Sequence, residues 1–160
     1  MINNETLKRV LKILDLSELQ IIEIFKNVDF ELSQEQLDDW LKKDNEAGYK
    51  KCKDLELSSF LNGLIIDKRG KKDGPLPVAE VSLTNNIIFR KLNIAFDLKA
   101  EDVIKVLDLA NLRVSKNELT SFFRKPEHRN YRECKDQILR NFLSGLQLKY
   151  RGKSYDRNNT

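Results

Sequence analysis

The only histidine of this 160-residue chain, His128, opens the run His128-Arg129-Asn130-Tyr131-Arg132 and lies six residues before Cys134. These residue types suit two chemistries. A thiolate with an imidazole base would be a covalent catalyst, and a cysteine just ahead of a helix, with arginines nearby, has the setting that lowers a thiol pKa. Against that reading, no third group follows to orient the base, and the other cysteine, Cys52, has Glu46 at the same spacing. Both cysteines therefore read as small buried hydrophobes. The second chemistry is anion recognition. Two guanidinium groups, an aromatic ring and an amide in a loop before a helix N-terminus can hold phosphates and stack on unpaired bases. Arg124 and Lys125 adjoin the run and Arg140 follows it. A competing role for Tyr131, and for Tyr49, is a lid packed over the core. One histidine and two dispersed cysteines cannot complete a tetrahedral metal site, and no glycine-rich phosphate loop is present. No catalytic residue, metal or cofactor is assigned.

The elements that must position these residues occur twice. Residues 3–71 align without a gap to residues 85–153, with 20 identities in 69 pairs, among them Asn3/Asn85, Asp15/Asp97, Ser33/Ser115, Tyr49/Tyr131, Cys52/Cys134 and Gly63/Gly145. Each copy reads as four helices, because apolar character persists at helical spacing while surface identity drifts. The first helix, about 4–15, carries Leu7/Phe89, Val10/Leu92 and Leu14/Phe96 on one stripe, with Asn3 or Asn4, and Asn85 or Asn86, as N-caps. The second, about 17–28, places Ile21/Val103, Ile22/Ile104, Phe25/Leu107 and Val28/Ala110 inward, with Ser17 and Gln20 as a capping box. The third starts at the boxes Ser33/Gln36 and Ser115/Glu118. A polar segment, 44–51 or 126–133, separates it from the fourth helix, 54–69 or 136–151. That helix is capped by Asp54 or Asp136 and carries the stripe Leu57/Leu139, Phe60/Phe142, Leu61/Leu143 and Leu64/Leu146.

A mid-helix glycine costs about 1 kcal/mol relative to alanine, so Gly63/Gly145 implies a close helix crossing, with its counterpart in the other copy as one partner. Gly70 and Gly152 are expected to end the helix in the left-handed conformation. The expected organisation is all-α: a first repeat over 1–71, a linker over 72–84 with turn residues Asp73-Gly74-Pro75, a second repeat over 85–153, and a polar tail over 154–160. A pseudo-twofold axis between the repeats is one arrangement of the pair.

Charge separates the copies. Residues 1–70 hold 11 Lys/Arg against 14 Asp/Glu, near −3, and residues 84–153 hold 15 against 8, near +7. Such asymmetry bears on partners rather than fold. The two copies could complement one another, or the second could meet an external polyanion. Basic clusters at 68–72 and 149–153 sit where cations offset a helix dipole. The second and third helices also suggest a helix-turn-helix, but Glu35, Asp38 and Asp39 would face phosphates in copy one, whereas Lys116, Asn117, Thr120 and Ser121 suit them in copy two. No apolar run is long enough to span a bilayer and no charged-then-apolar leader follows Met1, so no membrane association and a cytoplasmic location are expected.

The runs Cys52-x-Asp54-x-x-Leu57-Ser58-Ser59-Phe60-Leu61-Asn62-Gly63-Leu64-Ile65 and Lys68-Arg69-Gly70-Lys71 resemble the bacterial YehS family. So do Asn85-Asn86, Val114-Ser115, His128-x-Asn130-Tyr131-Arg132-x-Cys134-x-Asp136-Gln137 and Leu139-Arg140. The resemblance covers nearly the whole chain and implies a small cytosolic protein with two copies of a domain of unknown function. It brings no activity and no functional residue. The function expected from the residues is a non-enzymatic binding module contacting a polyanion such as RNA or DNA through Arg124, Lys125, His128, Arg129, Arg132 and Arg140. The alternative is a protein adaptor or self-associating chain that sets its acidic first repeat against a basic second repeat.

Overall fold

Two rounds of the same apolar rhythm produce eight α-helices in the computed structural model, which describes residues 1–155. The first round gives α1 (Asn3–Leu14), α2 (Glu18–Lys26), α3 (Gln34–Leu41) and α4 (Asp54–Arg69); the second gives α5 (Asn85–Ala95), α6 (Ala100–Leu109), α7 (Lys116–Phe122) and α8 (Asp136–Arg151). The protein is all-α, and no strand forms among the described residues, including the stretch 78–83. Its compact units are Met1–Leu83 and Thr84–Tyr155. The polar tail expected at 154–160 lies, from residue 156 onward, outside the described residues.

Local chemistry starts and stops most of these helices as their sequence predicts. Ser17 and Gln20 form a reciprocal capping box, as do Ser115 and Glu118. Ser33 caps α3, but the Gln36 amide turns instead to Glu56 on α4. Asp15, Asp97, Asp29 and Asn111 all take positive φ just past helix ends, where short polar side chains tolerate the left-handed region better than branched ones. Gly152 ends α8 in that conformation. Gly70 has φ +87° but an extended ψ of 158°, so the left-handed cap expected there is replaced by a straight exit into the linker. That linker does not run free. The Glu80 N–H donates to Ser58 Oγ at 2.9 Å and the Leu83 N–H to Asp54 Oδ2 at 2.9 Å, tying its second half to α4.

The glycine in the longest helix marks a crossing within each unit. A Cβ on Gly63 would stand 2.1 Å from the Ile24 carbonyl oxygen, and one on Gly145 would stand 2.0 Å from that of Val106. The partner is therefore the second helix of the same repeat, α2 or α6, and not the counterpart in the other copy. This contact also explains why Ile24 and Val106 are buried while Ile22 and Val28, expected inside, are only half-buried.

Each core has an aromatic centre, but its source differs. In the first unit Phe25 of α2 packs against Trp40 (centroids 5.9 Å apart) and Phe60 (5.8 Å). In the second unit the equivalents of those partners, Phe122 and Phe142, pack at 6.2 and 4.8 Å against Phe89 of α5. The pair Leu7 and Phe25 has become Phe89 and Leu107, all four fully buried. One leucine and one phenylalanine fill the same space from opposite helices, which conserves volume.

Two outcomes test this packing by urea unfolding. Leu7→Phe and Phe25→Leu should each destabilise by about 1–3 kcal/mol, and the double variant should recover part of the loss, a coupling of about 0.5–3 kcal/mol. Gly145→Ala should destabilise despite alanine's helix preference of about 1 kcal/mol, because its methyl meets backbone that cannot move aside; a stabilised variant would remove the crossing from the account.

Candidate polyanion-binding site

The loop joining the third and fourth helices of each repeat is held by two asparagines at the start of the first. Asn4 and Asn86 are almost fully buried. The Asn86 amide donates to the carbonyls of Phe122 (3.0 Å) and Arg132 (2.8 Å), and its oxygen accepts from the Cys134 N–H at 2.9 Å. Asn4 makes the same three bonds to Trp40, Lys50 and Cys52. Their neighbours Asn3 and Asn85 donate to the Cys52 and Cys134 carbonyls at 3.0 Å and to the Asp54 and Asp136 carboxylates at 2.7 Å. The expected capping role of these asparagines is thus overturned. The residues at the cap positions are Ile2 and Thr84, and Thr84 Oγ1 accepts the Ile87 N–H. Asp54 and Asp136 occupy the first helical positions after Lys53 and Lys135, with their carboxylates on the asparagines.

The clasp decides the fate of the cysteines. Cys52 and Cys134 are buried, with both backbone polar groups taken by asparagine side chains. Burial, reinforced by neighbouring carboxylates, pushes each thiol up to about 12. A helix N-terminus does not activate them, because desolvation of the thiolate outweighs it. His128 is exposed while Cys134 is enclosed, so the pairing needed for nucleophilic catalysis is not made. Tyr49 and Tyr131 are half-buried, and desolvation raises both phenols, in keeping with lids over the core.

Within the second unit, Arg124, Lys125, His128, Arg129 and Arg132 are gathered in and beside the α7–α8 loop. Two tight turns shape it: the His128 N–H donates to the Lys125 carbonyl and the Tyr131 N–H to the His128 carbonyl, both at 2.9 Å. Lys125, His128, Arg129 and Arg132 are exposed and Arg124 is half-buried. Arg140 stands apart on α8, half-buried and one turn beyond Asp136. Arg132 makes a loose surface pair with Glu118 at 3.6 Å, of the kind worth little in water. Arg124, Lys125 and Arg129 make no ion pair among the described residues.

The first unit has the same loop in a self-neutralised form. Lys42 and Lys50 stand where Arg124 and Arg132 do, and both reach Asp39, at 2.7 and 4.0 Å. Asp39 is buried at 7 % exposure rather than part of an open acidic face as its sequence context suggested. Its hydrogen bond and charge raise the Lys42 pKa. The second unit places Ser121 there, and its hydroxyl donates to the Glu118 carbonyl instead. The backbone bond is the same in both, Lys50 N–H to Asp39 carbonyl at 3.1 Å and Arg132 N–H to Ser121 carbonyl at 3.0 Å. One substitution removes the shared counter-ion while both cations remain. The three-residue spacing of Asp39 and Lys42 is visible in the sequence, but the burial of Asp39 and the approach of Lys50 from the far end of the loop are not.

No group of three or more His, Cys, Asp or Glu residues is placed to hold a metal among the described residues, and none of the described helices is long and apolar enough to cross a membrane. A depression of about 250 Å³ opens in the first unit over Leu11, Ile21 and Leu41. Its rim mixes Lys8 and Lys12 with Asp15 and Glu18, and so offers no single sign of charge to a polyanion.

Comparison with known proteins places the chain by similarity. Residues 3–70 and 85–152 each match the family described as "Protein of unknown function (DUF1456)". The chain is 44 % identical over 147 residues to "Uncharacterized protein YehS" of Escherichia coli (strain K12), covering 91 % of this chain and 94 % of that protein. No solved structure matches.

The raised thiols set a pH dependence. Unfolded cysteines lose their protons near pH 8.5 and the folded ones near 12, so the folded state binds more protons between those values. Their contribution to stability is fully present below about pH 8.5 and declines as pH rises from there toward the folded value. The urea midpoint should fall between pH 8 and 10.5, and less steeply in Cys134→Ala. Identical slopes in the two proteins would mean that the thiol is not protected.

Proposed function

We propose that this chain, which belongs to the DUF1456 family and carries its domain twice, is a non-enzymatic binding module whose second repeat contacts nucleic acid. The contact runs through Arg124, Lys125, His128, Arg129 and Arg132, with Arg140 as a flanking charge. The observation that carries this reading is the exchange of Asp39 for Ser121. In the first repeat a buried carboxylate holds Lys42 at 2.7 Å and lies 4.0 Å from the exposed Lys50; in the second those cations are arginines, that carboxylate is gone, Arg124 makes no ion pair among the described residues, and Arg132 keeps only the surface pair with Glu118 at 3.6 Å. Guanidinium groups suit phosphates through paired donors, and they remain charged at any working pH. The net charges of the two copies, near −3 and +7, point the same way. The asparagine clasp supports the reading further, since it holds the loop in a defined shape and lowers the ordering cost of binding.

Fluorescence anisotropy of labelled single-stranded RNA and of duplex DNA across salt concentrations tests this. Affinity should fall linearly on logarithmic axes. Ser121→Asp, which restores the missing counter-ion, should weaken binding and reduce the salt slope by about 1 to 2. Arg129→Glu with Arg132→Glu should do so more strongly. Unchanged affinity in both variants would reject the loop. An absence of nucleic-acid binding, combined with self-association that salt dissolves in sedimentation, would transfer the charged faces to the adaptor reading.

A further inference from the structure

Both ring nitrogens of His128 face groups that can only donate. Nδ1 lies 3.0 Å from the backbone nitrogen of Asn130, and Nε2 lies 3.4 Å from Nη1 of Arg124. A neutral imidazole accepts at one nitrogen and donates at the other, while a peptide N–H and a guanidinium have no acceptor to offer. Only one of the two contacts can therefore be a hydrogen bond. The shorter one is also the one built into the backbone, since the turns closed by the His128 and Tyr131 N–H groups fix the course of the chain through Asn130. Nδ1 accepts there, and Nε2 must carry the proton. The histidine N–H and the Arg124 guanidinium then stand side by side with no acceptor between them.

We propose that His128 Nε2–H and the Arg124 guanidinium form a seat for one phosphate group, the phosphodiester of a bound nucleic acid, with both nitrogens donating to its anionic oxygens. This rests on the loop being the polyanion interface and names the group it grips. An oxygen acceptor removes the conflict between the two donors, and a phosphate carries several anionic oxygens, so both donors are served by one group. Lys125 and Arg129, exposed and without ion pairs among the described residues, add charge beside the seat. The first repeat has no such seat. Glu46 takes the place of the histidine and accepts the Lys43 N–H at 3.0 Å, while Lys42 is held by Asp39 at 2.7 Å.

The test uses the full chain labelled with nitrogen-15. Long-range proton–nitrogen correlation on the imidazole should show the Nε2–H tautomer in the free protein, and added inorganic phosphate should shift the His128 and Arg124 resonances together. His128→Gln, which keeps an amide donor near the Nε2 position, should retain most of the affinity for labelled single-stranded RNA; His128→Ala and Arg124→Gln should each lose roughly tenfold, about 1.4 kcal/mol. The Nδ1–H tautomer, or a phosphate response unchanged in His128→Ala, would overturn the seat. RNA binding at full strength in both His128→Ala and Arg124→Gln would also overturn it, yet leave the loop reading standing on Lys125, Arg129 and Arg132. A phosphate response without any RNA binding by the parent protein would keep the anion seat and reject its assignment to nucleic acid.

Discussion

The structure depends on one buried amide per repeat. Asn4 and Asn86 each bring one carbonyl from the end of the third helix and two backbone groups of the loop that follows it onto the first helix, and every polar atom of the side chain is used in doing so. An amide taken out of water without partners is costly, by roughly 1–3 kcal/mol per unsatisfied group. A loop segment with unpaired carbonyls is similarly disfavoured inside a protein. The two deficits offset one another in this arrangement, which ties the loop to the first helix. Everything that makes the loop a candidate site follows from that tie: the tight turns, the display of Arg129 and Lys125, and the enclosure of Cys134.

The duplication acts as an internal comparison in which the scaffold is constant and the chemistry varies. Both loops keep the clasp, the buried cysteine, the half-buried tyrosine and the backbone bond across the third helix. Against that background the charged positions differ in a connected way. Asp39 and Glu46 hold the first loop closed by salt bridge and by backbone hydrogen bond, whereas Ser121 and His128 leave the second with cations and donors facing outward. Scaffold retained and electrostatics changed is the pattern expected when two copies of a unit diverge in what they bind. The cores show the complementary behaviour. There the Leu7/Phe25 pair and the Phe89/Leu107 pair exchange places while the packed volume and the helix crossing at glycine are retained.

The cysteines show how environment overrides local setting. Position two residues before a helix suggests an activated thiol, yet the same segment is pressed into the core by its own backbone hydrogen bonds. Desolvation then dominates, and the thiols remain protonated at neutral pH. A residue type associated with chemistry serves here as packing, and the polar work is done by asparagines that had the appearance of ordinary helix caps.

Local and periodic features were legible in the amino-acid sequence alone. The repeat and the charge contrast between copies are read directly from residue order and type, while the eight helices, the serine caps and the bounds of α4 and α8 rest on residues within a turn or two of each other, where spacing is itself the physical signal. So does the grouping of Arg124, Lys125, His128, Arg129 and Arg132, which share one loop. Tertiary structure alone decided what depends on partners far along the chain. The asparagines bond groups 36 to 51 residues away, Gly63 meets α2 rather than its counterpart in the other copy, Asp39 is buried where Lys50 returns to it from the far end of the loop, and Arg140 stands on a helix apart from the loop. A side-chain amide, a glycine or a carboxylate has several satisfactory local roles of similar energy, and only the long-range partner, brought close by folding of the core, selects among them.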